Sequence, residues 1–165
     1  MLTRNFELWE FLPKGMKESD CPDPVRINLG WLARDIMQPV RDEMGLPIII
    51  HSGYRPPEHN AAVGGAATSD HQTGRACDFH VSPGKRRTWE ENTISAFRFA
   101  LASLLFGQLI WEDHRIANGN RGSLWIHASI PTAKHPGTPA DPSRILVSFK
   151  PRHYERYSDN LEPLA

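Results

Sequence analysis

The chain reads SDHQTGRACDFH from Ser69 to His80, and this segment holds two histidines, two aspartates and a cysteine. Imidazole and carboxylate groups are typical ligands of a catalytic zinc ion, which takes three protein ligands and keeps one position open. Gly74 lies between His71 and Asp78 and permits a sharp turn, so a ligand on a loop can face a ligand on the next strand. A single pair of this kind is more often a polar loop, so further ligands are needed to indicate a site.

The second half of the segment, residues 76–81, is predicted to form a strand. Alternate residues of a strand share a face, so Asp78 and His80 are expected on one face and Cys77 and Phe79 on the other. Cys77 is therefore predicted to be a core thiol rather than a ligand, and His80 to line the cleft beside Asp78.

A hairpin further along the chain supplies further candidates. Its turn is predicted within residues 117–122, which contain an Asn-Gly step. A turn centred between Gly119 and Asn120 would set Glu112 opposite His127, with Cβ atoms about 5 Å apart on the same face. That arrangement places a general base beside a zinc ligand. A shift of one residue would move one of the two side chains to the other face.

The remaining elements follow from periodicity and end signals. One helix is predicted from an N-cap at Asn28 to Gly45, with a kink at Pro39. A capping box at Thr88–Glu91 opens a second helix that ends at Gly107. The other predicted elements are strands at 47–51, 108–112, 123–130 and 144–149 and a short helix at 57–63. Because the clearest strand pair is a hairpin, we expect an α+β fold with a small antiparallel sheet and flanking helices.

Length and composition limit the classes of protein. A chain of 165 residues suits one domain, and residues 1–27 and 151–165 are expected to be peripheral. Lys plus Arg and Asp plus Glu number 19 each, which argues against nucleic acid as a partner. No apolar run suits a membrane helix or a signal peptide, so we expect synthesis in the cytoplasm and no membrane partner. A monomer is expected.

Ser69–Asp78 fits the pattern Ser-x-His-x-x-Gly-x-Ala-x-Asp and so resembles the zinc D,D-peptidase family. That family includes D-alanyl-D-alanine carboxypeptidases, dipeptidases and phage endolysins. Other stretches are similar to its zinc D-Ala-D-Ala carboxypeptidase branch, which is common in phages and prophages. These are Ser52–Arg55, Glu58–Asn60, Val63–Ala66, Leu109–Glu112 and Trp125–His127. The resemblance covers residues 28 to 130 and implies the zinc site of this family and of hedgehog-type domains.

By this resemblance, His71, Asp78 and His127 would bind one Zn²⁺ ion. Arg55 would hydrogen-bond the scissile carbonyl or the substrate carboxylate, a task that suits a permanently charged, forked guanidinium. Four other residues are predicted to support the site or to contact the substrate. They are Ser69, His51, His80 and Trp125.

The chain departs from the family at the catalytic base. Many relatives carry a glutamate three residues before the last ligand, where this chain has Leu124. Glu112 is our predicted base, on the hairpin argument, and Asp113 and His114 are the alternatives.

The resemblance implies a zinc-dependent peptidase that cleaves bonds involving D-amino acids in peptidoglycan. It would be a D,D-carboxypeptidase or an endolysin-like endopeptidase, derived from a phage or prophage, that reaches the cell wall after lysis or as a virion component. The alternative hypothesis is a zinc-containing module that binds peptidoglycan or has a structural role without catalysis. A globular domain without metal is a third reading.

Overall fold

A sheet of six strands organises the residues that the computed structural model describes, which are 1–115, 123–133, 145–150 and 153–156. The spatial order is β1-β2-β4-β3-β5-β6, and β3 with β5 is the parallel pair in an otherwise antiparallel sheet. The strands are β1 (Ile48–Ser52), β2 (Ala76–Val81), β3 (Gln108–Asp113), β4 (Leu124–Ser129), β5 (Ile145–Lys150) and β6 (His153–Arg156). The helices are α1 (Asp23–Leu32), α2 (Gln38–Met44), α3 (Pro57–Ala62) and α4 (Trp89–Ser103). The predicted α+β class is confirmed.

Helix α1 begins at Asp23, so the prediction that Asn28 caps it is wrong. Pro22 takes the N-cap position, and Pro24 lies in the first turn, where a proline fits because those N–H groups have no helical partner. Asn28 lies inside the helix and is buried. Its side-chain amide donates a 2.8 Å hydrogen bond to the carbonyl of Thr73, which ties α1 to the loop that carries His71.

Pro39 interrupts the helical pattern as predicted, and it does so through a wider turn. Residues Ala33–Met37 are π-helical and lead directly into α2. Proline cannot donate the backbone hydrogen bond of a regular helix, and a wider turn absorbs the mismatch. Gly45 then ends α2 in the left-handed conformation, with φ +63°.

The N-terminal segment packs into the core, contrary to the prediction that residues 1–27 are peripheral. Phe6, Leu8 and Phe11 are buried in the main hydrophobic cluster. The Phe11 carbonyl also accepts a 2.7 Å hydrogen bond from the backbone N–H of Tyr54. Large apolar side chains in this segment, which local patterning leaves irregular, gain more from burial than from exposure.

One face of the central strands forms the core. Cys77 and Phe79 of β2 are fully buried on this face, as alternation predicts. Helix α4 packs against β2 and β4, and its Phe97 ring meets Trp111 of β3 edge-on at 5.7 Å. Helix α4 opens with the predicted capping box between Thr88 and Glu91. The opposite face of β2, β3 and β4 carries Asp78, Glu112 and His127.

The predicted hairpin register is wrong by two residues. Ile110 lies opposite His127, and Glu112 lies opposite Trp125. A shift of two keeps every side chain on its face, so Glu112 and His127 still point to the same side of the sheet. The turn predicted at 117–122 lies outside the described residues.

The predicted strand at 144–149 corresponds to β5. Of the tail predicted to be peripheral, residues 153–156 form β6 beside β5, with Tyr154 largely exposed, and the rest lies outside the described residues. Among the described residues, no helix has the length and apolar character that crossing a membrane requires.

We expect Phe11→Ala to lower the free energy of unfolding by about 3–5 kcal/mol, because it removes a fully buried aromatic ring and leaves a cavity. Trp9→Ala is the matched control, since Trp9 belongs to the same 3-10 helix and is 64% exposed. The control should change stability by no more than about 0.5 kcal/mol in urea unfolding. Equal, small losses for both variants would contradict the burial of the N-terminal segment.

Candidate metal centre

Three ligand atoms meet on the polar face of the sheet. His71 Nε2 lies 3.2 Å from Asp78 Oδ1 and 3.2 Å from His127 Nδ1. His127 Nδ1 lies 2.9 Å from the same carboxylate oxygen. These three residues are the cluster of metal-binding side chains found among the described residues. The family resemblance implied all three as ligands, two from the segment 69–80 and one from the distant strand β4, and the fold brings them together.

His71 is fixed by the loop before β2. It lies in a 3-10 turn, Asp70–Thr73, that ends at Gly74 with φ +70°. A left-handed residue is needed there to reverse the chain into β2, which is why glycine suits the position. The His71 ring donates from Nδ1 to the carbonyl of Gly53 at 2.7 Å. This hydrogen bond leaves Nε2 as the nitrogen with a lone pair for a metal.

The Ser-Gly-Tyr-Arg stretch after β1 supports this loop through its backbone. The N–H of Arg55 donates to the His71 carbonyl at 3.0 Å, so the two segments are joined in both directions. Tyr54 is buried and anchors the stretch in the core. A Cβ at Gly53 would come within 2.5 Å of the Phe11 carbonyl oxygen, so only glycine allows this close approach.

Asp78 and His127 are direct neighbours on β2 and β4. Burial raises the pKa of Asp78, but the charges and hydrogen bonds of His71 and His127 outweigh burial and hold the pKa well below its usual value. The second carboxylate oxygen, Oδ2, lies 3.5 Å from Nη2 of Arg55. The carboxylate is therefore held at one oxygen by the two imidazoles and faces Arg55 with the other.

The donor set fits a zinc ion. Two imidazole nitrogens and one carboxylate oxygen are ligand types of catalytic zinc sites. Tetrahedral bonds of about 2.05 Å separate ligand atoms by about 3.3 Å, and the observed separations are 2.9 to 3.2 Å. The three side chains also border an open cleft of about 610 Å³, so one side of the cluster faces space for water and substrate.

Glu112 lines the same cleft from β3 and is itself only 7% exposed. Burial, reinforced by the negative charge of Asp78, raises the pKa of Glu112 to about 7, against the lowering effect of His127, Trp125 and Arg55. A carboxylate with a pKa near neutrality is well matched to general base catalysis at physiological pH.

The other predicted residues divide into two groups. Arg55, Ser69 and Trp125 line the cleft. The Ser69 hydroxyl makes no capping hydrogen bond to the turn that follows it. His51 and His80 contact each other, with His51 Nε2 2.6 Å from His80 Nδ1, and are not among the described residues that border the cleft.

The two alternative bases have their own partners. Asp113 accepts from Arg115 at 2.9 and 2.7 Å, so its carboxylate is already held by a guanidinium. His114 lies beside Glu112, with 3.5 Å between its Nε2 and Oε2 of the glutamate. Of the three, Glu112 and His114 line the cleft, and Glu112 is the carboxylate among these two.

Sequence reasoning missed two contributors to the site. One is the backbone carbonyl of Gly53, which cannot be predicted from side-chain type. The glycine in the Ser-Gly-Tyr-Arg stretch is the one sequence feature that indicates a close backbone approach at this position. The other is Ser148, which lies directly beside Glu112 on β5. The sequence around a serine in a predicted strand does not indicate which other strand will lie next to it.

The protein has an α+β fold whose sheet carries a His-Asp-His cluster beside a buried carboxylate. This arrangement makes it a candidate metal-dependent hydrolase. Residues 13–100, slightly more than half of the chain, match the family described as Peptidase M15, and the chain belongs to this family of zinc D,D-peptidases. The family consists of zinc-dependent peptidases that act on cell-wall peptides. The resemblance found in the sequence is confirmed. Among curated proteins, none matches the chain.

The family match includes Arg55, His71 and Asp78 and ends before Glu112 and His127. The places of the last two residues in the site therefore rest on the structure. The roles assigned to individual residues remain predictions.

We expect Gly53→Ala to weaken zinc binding by about 10- to 100-fold, because the added Cβ displaces the carbonyl that orients His71. Gly30→Ala in α1 is the matched control, since its Cβ would meet nothing within 4 Å. Competition titration with a chelating dye measures both affinities. Equal zinc affinity in the two variants would show that the Gly53 carbonyl does not orient the ligand.

The raised pKa of Glu112 predicts a pH-dependent stability of the metal-free protein. Because the folded pKa of about 7 exceeds the ordinary 4.5, the protonated carboxyl favours folding at low pH, and this contribution is lost as pH rises from about 4.5 to 7. Glu112→Gln lacks this titration. Its stability relative to the wild type should therefore increase by about 2–3 kcal/mol between pH 5 and pH 8. Urea unfolding of both proteins tests this, and a difference that stays constant with pH would contradict it.

Proposed function

We propose that the protein is a zinc-dependent peptidase that hydrolyses peptide bonds involving D-amino acids in peptidoglycan, as a D,D-carboxypeptidase or an endolysin-like endopeptidase. The observation that carries the proposal is the His71, Asp78 and His127 triangle with the Glu112 carboxylate on the same face of the sheet. Membership of the Peptidase M15 family supports it.

His71, Asp78 and His127 would hold one zinc ion, which would supply Lewis-acid polarisation of the scissile carbonyl and a lowered pKa, about 7, for a nearby water. The three residues divide the work of holding the ion. Asp78 contributes the negative charge of the ligand set. The Gly53 carbonyl keeps the His71 ring in the tautomer that can bind.

Glu112 acts as general base and then as general acid. Its carboxylate accepts a proton from the attacking water and returns it to the nitrogen of the leaving amine. In the metal-free protein burial raises the pKa of Glu112 to about 7, and a carboxyl group with a pKa near neutrality can both accept and return a proton. Its neighbour across the hairpin, Trp125, walls the cleft on this side.

Arg55 supplies hydrogen-bond donors to the substrate. Its side chain lines the cleft and is mostly shielded from solvent. Its Nε is buried without a hydrogen-bond partner among the described residues. An unpaired donor next to the ligand cluster is suited to the developing oxyanion or to a terminal carboxylate of the peptide.

The similarity of several stretches to the phage and prophage branch supports a phage or prophage origin. In that setting a monomeric enzyme would meet peptidoglycan after lysis or as part of a virion. A non-catalytic module that binds peptidoglycan is the second candidate, favoured by the fact that the family match stops before Glu112.

The test is mass spectrometry of muropeptides after digestion of purified peptidoglycan of several chemotypes by the zinc-loaded protein. We expect the wild type to release new amines. A carboxypeptidase would remove the terminal D-alanine, whereas an endopeptidase would split the cross-links. Glu112→Gln should keep its zinc and lose about 10²- to 10⁴-fold in rate. His71→Ala should lose both zinc and activity.

Lys17→Ala is a suitable control, since Lys17 is exposed and lies outside the cleft. Wild-type protein that carries zinc and releases no amine from any chemotype would overturn the peptidase proposal. If that protein still cosediments with peptidoglycan, the binding module is the better description.

A further inference from the structure

Glu112 is surrounded by neighbours on the same face of the sheet. Trp125 lies directly across on β4, and Ser148 lies directly across on β5. Residues paired across adjacent strands project to the same side, so both flank the Glu112 carboxylate. His114 is two positions further along the strand direction and points the same way.

The His114 ring has three neighbours, Ser148, Glu112 and Trp125, and the backbone of His114 is held as well. Its Nε2 lies 3.3 Å from the Ser148 hydroxyl and 3.5 Å from Oε2 of Glu112. The ring packs edge-on against Trp125 at 4.8 Å, with an interplanar angle of 81°. Its backbone N–H donates to the carbonyl of Ser123 at 2.9 Å. A buried imidazole held in this way has one ring nitrogen aimed at the predicted base.

We infer that His114 is a positioning residue for Glu112, donating from Nε2 to the carboxylate, and this rests on the proposed function of Glu112 as base. When Glu112 is ionised, both of its oxygens are acceptors, so only the tautomer with a proton on Nε2 gives a favourable contact. The Ser148 hydroxyl, close to the same nitrogen, can accept from the same N–H in a shared hydrogen bond. This arrangement orients one carboxylate oxygen and leaves the other for the reacting proton.

The direction of the pKa shift of His114 agrees with this role. Burial lowers the pKa of His114, against the charge of Asp113, and this shift favours the neutral ring. The other charged or titratable groups that act on Glu112 are Asp78 from β2, His127 from β4 and Arg55 after β1. His114, whose Nε2 lies 3.5 Å from Oε2 of Glu112, stands outside the ligand cluster.

The experiment compares His114→Phe and His114→Gln in the zinc-loaded protein. Phenylalanine keeps the ring against Trp125 and removes the nitrogens, whereas the glutamine amide nitrogen lies as many bonds from the backbone as Nε2. We expect kcat to fall about 10- to 100-fold in His114→Phe with a much smaller change in KM, and to recover largely in His114→Gln. His59→Phe, an exposed histidine on α3 outside the cleft, is the control and should stay within about twofold of the wild type.

The pH profile separates positioning from a structural role. Loss of a donor to the ionised carboxylate raises its pKa, so the acid limb of kcat/KM should move up by about 0.5 to 1 pH unit in His114→Phe and not in His114→Gln. Unchanged zinc content shows that the cluster is intact. A fall in activity with an unmoved acid limb, or an equal fall in both variants, would overturn the inference.

A second readout does not need activity. Titration of the Glu112 carboxyl carbon by NMR in the zinc-loaded wild type and His114→Phe should show the same upward shift in pKa. If the wild type cleaves no muropeptide while this shift is present, the proposed function fails and the contact between His114 and Glu112 stands. If the wild type is active and the carboxyl titrates alike in both proteins, the inference about His114 fails and the proposed function stands.

Discussion

The hydrogen bond from the His71 ring to the Gly53 carbonyl is the constraint on which the rest of the site depends. It selects the nitrogen that faces Asp78 and His127, and it joins the loop before β2 to the stretch after β1. Gly53 can occupy its place only because it lacks a side chain, since its Cα packs directly on the backbone of Phe11. The N-terminal segment therefore contributes to the metal centre without providing a ligand. Backbone support of this kind is how a small protein holds three ligand atoms in one place.

The sheet arranges the rest of the chemistry in two adjacent rows on its polar face. The first row carries Asp78 and His127 on neighbouring strands. The second carries Trp125, Glu112 and Ser148 on β4, β3 and β5. Ligands and base are thus separated by one step along the strands, close enough to act on one substrate. The opposite face, covered by helices, supplies the rigidity that fixed distances require.

The types of the elements and the faces of the strands could be predicted from the sequence because they depend on local alternation and end signals. The assignment of Cys77 to the core and of Asp78 to the polar face is an example. Asn28 shows the limit of such signals, because an asparagine before an apolar run is typical of a cap, and here it ties the helix to a distant loop. The prediction of the hairpin register was wrong for a related reason. Several turn-forming residues follow one another in the sequence, and residue type alone does not indicate which pair forms the centre of the turn.

The sequence by itself determined the kinds of ligand, their order along the chain and the family to which the protein belongs, because these are properties of residue type and spacing. Only the tertiary structure decided which nitrogen of His71 faces the cluster, where Glu112 lies relative to His127, and how far burial raises the pKa of that glutamate. It also decided that Phe6, Leu8 and Phe11 belong to the core. The physical reason is that orientation, desolvation and packing arise from contacts between residues far apart in the chain, which local patterns do not encode.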